Sequence, residues 1–264
     1  MLRTIGVLLA VGLLAGCGSP SNGDGVARPL HPGPTPPLSS SDFSPTPPRK
    51  TSATYGCLTQ DEALQGSYSL PTDSGSLDAY LRDPGPDPAK TVLVFSHQAG
   101  GDLCEWQPHW ADFSKAGYGI LAFNSGGGQG EIATVVRYLA QRGASRVVLV
   151  GASKGGTASL VAAVQPLALP VQAVVALSAP VVYHGDDAGK AVANLKIPGF
   201  FAAEMDDMPF RDNIHTLYMA SPDGNKVLKL YNGSRHGALL LDDGGLRDVL
   251  DFLAKYAPLS PPSP

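Results

Sequence analysis

Val147-Val148-Leu149-Val150-Gly151-Ala152-Ser153-Lys154-Gly155-Gly156-Thr157 is the stretch on which the reading of the fold turns. Four consecutive apolar residues, three of them β-branched, suit a parallel strand buried on both faces. From Lys154 the spacing changes, with Leu160, Val161 and Val164 at helical intervals. Ser153 therefore stands on a sharp strand-to-helix turn. Such a turn forces its apex into strained backbone angles and crowds the neighbouring chain, so the residues two before and two after must be nearly free of side chain. Gly151 and Gly155 meet that demand. The turn lifts the serine hydroxyl above the sheet edge and aims the first amides of the next helix at any oxyanion formed there.

Outward from this turn, short apolar strands alternate with helices. Residues 67–81 read as an antiparallel edge hairpin around Asp73-Ser74-Gly75, and 82–90 as a loop. Strands are predicted at 91–95, 119–123, 147–150, 171–177, 197–203 and 226–231. Helices are predicted at 106–116, 131–142, 154–164, 187–195, 211–219 and 242–255. The alternation implies an α/β domain with a doubly wound, mostly parallel sheet.

In such a sheet the loops at the carboxyl ends of strands converge on one rim. Ser96-His97-Gln98-Ala99-Gly100-Gly101 follows the first buried strand, Glu204, Asp206 and Asp207 follow the strand at 197–203, and Ser234-Arg235-His236-Gly237 follows the strand at 226–231. A serine hydroxyl is a weak nucleophile until an imidazole takes its proton, and the imidazole needs a carboxylate to fix its tautomer. A serine, then a carboxylate, then a histidine, each on its own strand-end loop, is the chain order of an α/β hydrolase.

On these pieces the chain from about Ser67 to Ala257 resembles the α/β-hydrolase superfamily, in the layout of its dienelactone-hydrolase-like and small esterase branches. The resemblance implies Ser153 as nucleophile, His236 as general base and acid, and Asp206 as the orienting carboxylate, with Asp207 and then Glu204 as alternatives. It implies an oxyanion hole from the backbone amides of Lys154 and Ala99. The family usually has His-Gly where this chain has His97-Gln98, which leaves Gln98 and Ala99 both open as donors. The expected activity is hydrolysis of carboxylic esters through an acyl-enzyme. A catalytically idle binding protein on the same scaffold and an acyltransferase are the alternatives.

Only about twenty residues separate Ala176 from Ile197, so no large cap insertion is expected over the site. Trp106, Trp110 and Tyr183 are candidate pocket linings, Lys154 hints at acidic acyl groups, and Ser125 to Gly130 reads as a flexible wall. Gly128-Gln129-Gly130-Glu131-Ile132-Ala133 fits a dinucleotide-binding glycine pattern, but the next strand ends in Gly151-Ala152-Ser153 with no ribose-binding acid. No metal-ligand spacing occurs, and neither metal nor cofactor is expected.

The composition, 264 residues with 43% hydrophobic content and a formal net charge of −4, describes a globular domain with tails. It carries no basic stripe for nucleic acid. Arg3, the apolar run Ile5 to Gly16 and Leu14-Ala15-Gly16-Cys17 read as a signal at 1–17. About twelve apolar residues fall short of the roughly 20 that span a bilayer, so the run fits an export signal. Its ending resembles the lipobox of bacterial lipoproteins, which implies lipidation at Cys17 and anchoring on the extracytoplasmic face of the membrane. Residues 18–52 form a proline-rich tether, 53–257 the domain and 258–264 a proline-rich tail. The remaining two cysteines, Cys57 and Cys104, are an even number in an oxidising compartment and are expected to pair. The expected partners are a small-molecule ester and the membrane.

Overall fold

Among the described residues nine strands form one sheet in the order β1-β2-β3-β5-β4-β6-β7-β10-β11. They are β1 (Arg49–Lys50), β2 (Ser67–Thr72), β3 (Gly75–Arg82), β4 (Thr91–Ser96), β5 (Gly119–Phe123), β6 (Arg146–Ala152), β7 (Val171–Leu177), β10 (Gly199–Glu204) and β11 (Val227–Tyr231). From β5 to β11 every neighbouring pair is parallel, whereas β1, β2 and β3 add an antiparallel margin. The computed structural model describes residues 47–259 except 74, 127, 223 and 243. The expected export signal, Cys17 and most of the expected tether lie outside the described residues.

The two faces of the sheet carry two cores, as the pleat requires. Val92 and Val94 of β4 face one core, with Ile132 and Val136 of α3 (Gln129–Gln141), Leu160 of α4 (Lys154–Ala162), Val192 of α5 (Ala188–Val192) and Ile214 of α6 (Phe210–Ala220). Leu93 and Phe95 face the other, with Ala63 of α1 (Gln60–Gly66), Phe113 of α2 (Trp110–Lys115) and Phe252 of α7 (Gly245–Tyr256). Val147 to Val150 are fully buried between them. That is why the central strand reads as an unbroken apolar run.

Several boundaries differ from the sequence reading. The sheet begins at Arg49 and Lys50, which pair with Ser69 and Tyr68 inside the stretch assigned to the tether. The helix expected at 106–116 starts as a 3-10 helix, Leu103–His109, and becomes α-helical only at Trp110. Pro108 has no N–H to complete an α-helical ladder there. Trp106 and Trp110 are only 1% and 2% exposed, packing on Phe95 and Tyr80, so they are core residues and not pocket lining. Between β7 and β10 stand only a short hairpin, β8 (Val182–Tyr183) with β9 (Asp186–Asp187), and α5. This agrees with the expected lack of a large cap.

Cys57 and Cys104 are joined, with Cα atoms 5.8 Å apart. The bond closes a loop across 47 residues of sequence and ties the start of the domain to the 3-10 helix after β4. Loop-closure entropy sets the scale of its contribution at about 4 kcal/mol. Replacing both cysteines by serine is expected to lower the free energy of unfolding by about 2–4 kcal/mol in urea melts, and reduction of the native chain should reproduce most of that loss.

Candidate active site

The turn after β6 has the geometry its sequence demands. Ser153 adopts φ 49° and ψ −117°, a left-handed conformation that costs a non-glycine residue about 1–3 kcal/mol. A Cβ on Gly151 would lie 2.2 Å from the Gly155 carbonyl oxygen, and one on Gly155 would lie 2.1 Å from that of Ser96. Both glycines are therefore required by contact. The Ser153 N–H donates to Leu177 O at 2.8 Å, which fixes the apex to the end of β7. Lys154 opens α4, so its N–H has no intrahelical acceptor.

The carboxylate beside His236 is Asp207. Its two oxygens lie 3.1 and 3.0 Å from His236 Nδ1, while Asp206 is exposed. This corrects the assignment of Asp206. Backbone pairing continues past β10, Met205 N–H to Tyr231 O and Asp206 N–H to Gly233 O, before Asp207 N–H closes a turn on Glu204 O. This turn, directly after β10, brings the Asp207 carboxylate against His236 and leaves Asp206 facing out. A carboxylate only accepts, so the proton of a neutral His236 resides on Nδ1 and leaves the Nε2 lone pair open. Phe210 flanks the imidazole, ring centroids 4.2 Å apart.

Ser178 holds this pair in place and was missed by sequence reasoning. Its hydroxyl donates to Asp207 Oδ2 at 2.6 Å and accepts the Gly237 N–H at 3.0 Å. Its position directly after β7, on the same rim, was the available signal. Gly237 lies close to the elbow: a Cβ there would stand 3.2 Å from Ala152 Cβ. The histidine loop thus packs on the residue preceding Ser153. Among the described residues no hydrogen bond joins Ser153 Oγ to His236 Nε2; such catalytic bonds often form only with substrate in place. Glu204 is buried and accepts the Arg235 N–H at 2.5 Å, shaping the histidine loop rather than orienting the imidazole.

The opposite wall is cross-linked. The Gln98 N–H donates to Glu105 Oε1 at 3.0 Å, whereas the Ala99 N–H has no acceptor among the described residues. Of the two amides the sequence left open, the Ala99 N–H is the one left to donate. His97 Nε2 accepts the Ser125 N–H at 2.9 Å and Nδ1 faces Gln98 O at 2.7 Å, which places its proton on Nδ1. Burial holds this imidazole below its ordinary pKa, so it braces the loop in the neutral form. Lys154 Nζ donates to Ser125 O at 2.6 Å and is buried, so its charge does not reach out to an acyl group. Gly126 N–H donates to Glu131 Oε1, so the wall at Ser125 and Gly126 is pinned rather than flexible. The Gln129 N–H at the start of α3 is taken by Asp186 Oδ2 at 3.1 Å.

The strand order, the strained serine between β6 and α4, and the histidine loop after β11 together decide the architecture. The chain has the α/β-hydrolase fold. Among solved structures it is similar to the esterase Pf2001 of Pyrococcus furiosus, at TM-score 0.61 and 15% identity over 72% of this chain and 91% of that one. The esterase domain of a Rhodothermus marinus protein matches at TM-score 0.60 and 17% identity, over 72% of this chain and 98% of that one. The enol-lactonase of Burkholderia xenovorans matches at TM-score 0.58 and 14% identity, over 71% of this chain and all of that one. No family model and no curated protein sequence matches this α/β-hydrolase-fold chain.

Removing the Ser178 hydroxyl leaves the Gly237 N–H buried without a partner and takes one donor from Asp207. Ser178→Ala is expected to lower stability by about 2 kcal/mol, seen as a lower urea midpoint with an unchanged slope.

Proposed function

We propose that this protein is a serine hydrolase of carboxylic esters, working through an acyl-enzyme and held at the outer face of a membrane by a lipid on Cys17. The observation that carries the chemistry is the Asp207–His236 pair at 3.0 Å, on the same rim as a serine already strained into the elbow conformation. The likeness in fold to solved esterases supports the same reading.

In this mechanism Ser153 Oγ attacks the ester carbonyl carbon while His236 Nε2 takes the hydroxyl proton. Asp207 holds Nδ1–H and steadies the imidazolium. Charge developing on the carbonyl oxygen is received by the Lys154 and Ala99 N–H groups, each worth about 2.7–4 kcal/mol of barrier. The tetrahedral adduct collapses, the carbon–alkoxide bond breaks, and Nε2 returns the proton to the departing alkoxide. Water then attacks the acyl-enzyme with His236 as base and releases the acid. With no large cap over the site, small or chain-end esters fit this reading better than long lipids sealed from water.

Export is supported by the Cys57–Cys104 disulfide, since such bonds persist in oxidising compartments. The proline-rich residues before the domain would hold it away from the membrane, at about 3.1 Å per residue.

Two experiments test this reading. A fluorophosphonate should label Ser153, and Ser153→Ala should abolish both labelling and hydrolysis of p-nitrophenyl esters. Asp207→Asn should lower kcat by about 10⁴-fold while Asp206→Asn stays within about twofold; the reverse pattern, or labelling that survives Ser153→Ala, refutes the assignment. For the anchor, Cys17→Ser should eliminate incorporation of radiolabelled palmitate in a bacterial host and move the protein from the detergent phase to the aqueous phase on partitioning.

A further inference from the structure

Glu105 has no role in the triad, yet its carboxyl group is built into the loop that carries Ala99. It stands on the 3-10 helix directly after Cys104, so the disulfide to Cys57 ties down the segment that presents it. Oε1 accepts the Gln98 N–H at 3.0 Å. Oε2 is buried with no hydrogen-bond partner, and a Cβ on Gly101 would lie 2.4 Å from it. The Gly101 N–H closes the turn on Gln98 O at 3.2 Å. The chain from Gln98 to Gly101 is thus folded around this carboxyl, and Gly101 has no side chain because the carboxyl occupies its place.

We propose that Glu105 is the positioning residue of the oxyanion loop, its carboxyl holding the Gln98 N–H so that the next amide, Ala99 N–H, is left as the free donor. The proposal rests on the hydrolase reading of Ser153. It also explains how the loop works with Gln98 in the position where related enzymes have glycine: the Gln98 amide is fixed by a side chain from outside the loop.

The carboxyl works in its neutral form. Burial pushes its pKa up to about 8 against the lowering effect of the Gln98 N–H bond, with Asp102 adding to the shift and Lys154 opposing it. Asp102 caps the same 3-10 helix, Lys154 lies on α4, and His97 in the loop is held through both ring nitrogens. When neutral, Glu105 carries its proton on the unpartnered Oε2 and accepts from Gln98 through Oε1. Ionisation sets a buried negative charge beside the place where the reaction develops another, so turnover should fall as pH rises through about 8. The sign for folding agrees. A carboxyl with a raised folded pKa binds more protons folded than unfolded, so its contribution to stability is lost as pH rises from near 4.5 to about 8.

The test compares the full chain with Glu105→Gln and Glu105→Ala. Hydrogen exchange of the 95–101 backbone reads the anchor, and kcat and KM for p-nitrophenyl acetate from pH 6 to 10, corrected with Ser153→Ala, read its consequence. Glutamine keeps the acceptor without the titration. Glu105→Gln should keep native exchange, hold kcat within about threefold at pH 7, and lose the fall above pH 8. Glu105→Ala should speed exchange about tenfold or more and lower kcat by about 10²-fold with KM nearly unchanged, the scale of one lost oxyanion donor. Native exchange in Glu105→Ala overturns the proposal, as does a Glu105→Gln that keeps the alkaline fall or turns over as poorly as Glu105→Ala. If Ser153→Ala hydrolyses as well as the native chain, the hydrolase reading fails instead, and exchange alone then decides whether Glu105 holds the loop.

Discussion

A serine with φ near +50° cannot rest at the end of a strand unless everything around it gives way, and the site follows from how this chain meets that condition. The surrounding backbone approaches so closely that Gly151 and Gly155 have no room for a β-carbon. The strain costs about 1–3 kcal/mol and is localised on β6, which is hydrogen-bonded on both sides by β4 and β7. A strand buried between two cores has the packing to hold an apex in a poor conformation; an edge strand would relax. Ser153 is therefore held at the rim by the strand that is buried between both cores.

The remaining groups are held by hydrogen bonds that run between neighbouring strand ends. Ser178 after β7 bonds Asp207 after β10 and the N–H following His236 after β11. Glu204, the last residue of β10, bonds the N–H of Arg235. Each loop is thus fixed by the loop beside it, in the order set by the parallel sheet. This is the positioning that acid–base chemistry needs, since a displacement of about 1 Å can cost on the order of 10²-fold in rate.

Much of this was legible in the sequence, and the misses have physical causes. The elbow was readable because three consecutive demands, a doubly buried strand, side-chain-free flanks and a helix start, all act within eleven residues. His236 was readable as the one histidine placed after a late strand. The choice between Asp206 and Asp207 was not, because it depends on the turn that closes Asp207 N–H on Glu204 O directly after β10, which residue spacing does not reveal. Trp106 and Trp110 read as pocket candidates because sequence gives their side of the helix only if its pitch is known, and the 3-10 turn before Trp110 changes that pitch. The helix α1 did have a signature, Thr59 with Glu62 as a capping box, which was overlooked among the polar residues following the tether.

The two sides of the site are built differently, and the difference follows from what each must do. On the proposed reading the acid–histidine side must pass a proton to and from substrate, and its imidazole is partly open, with a side chain 28% exposed. On the same reading the opposite side only has to present fixed dipoles, and rearranging those during the reaction would forfeit their advantage. It is accordingly cross-linked by groups from four segments: His97 to Ser125, Lys154 to Ser125, Glu131 to Gly126, and Glu105 to Gln98. Burial lowers the pKa of both His97 and Lys154, which is the electrostatic cost of that rigidity. The chain meets it by keeping His97 neutral and placing the Glu131 carboxyl group near Lys154. The buried ammonium beside Ser153 thus serves to lock a wall in place, through its bond to Ser125 O.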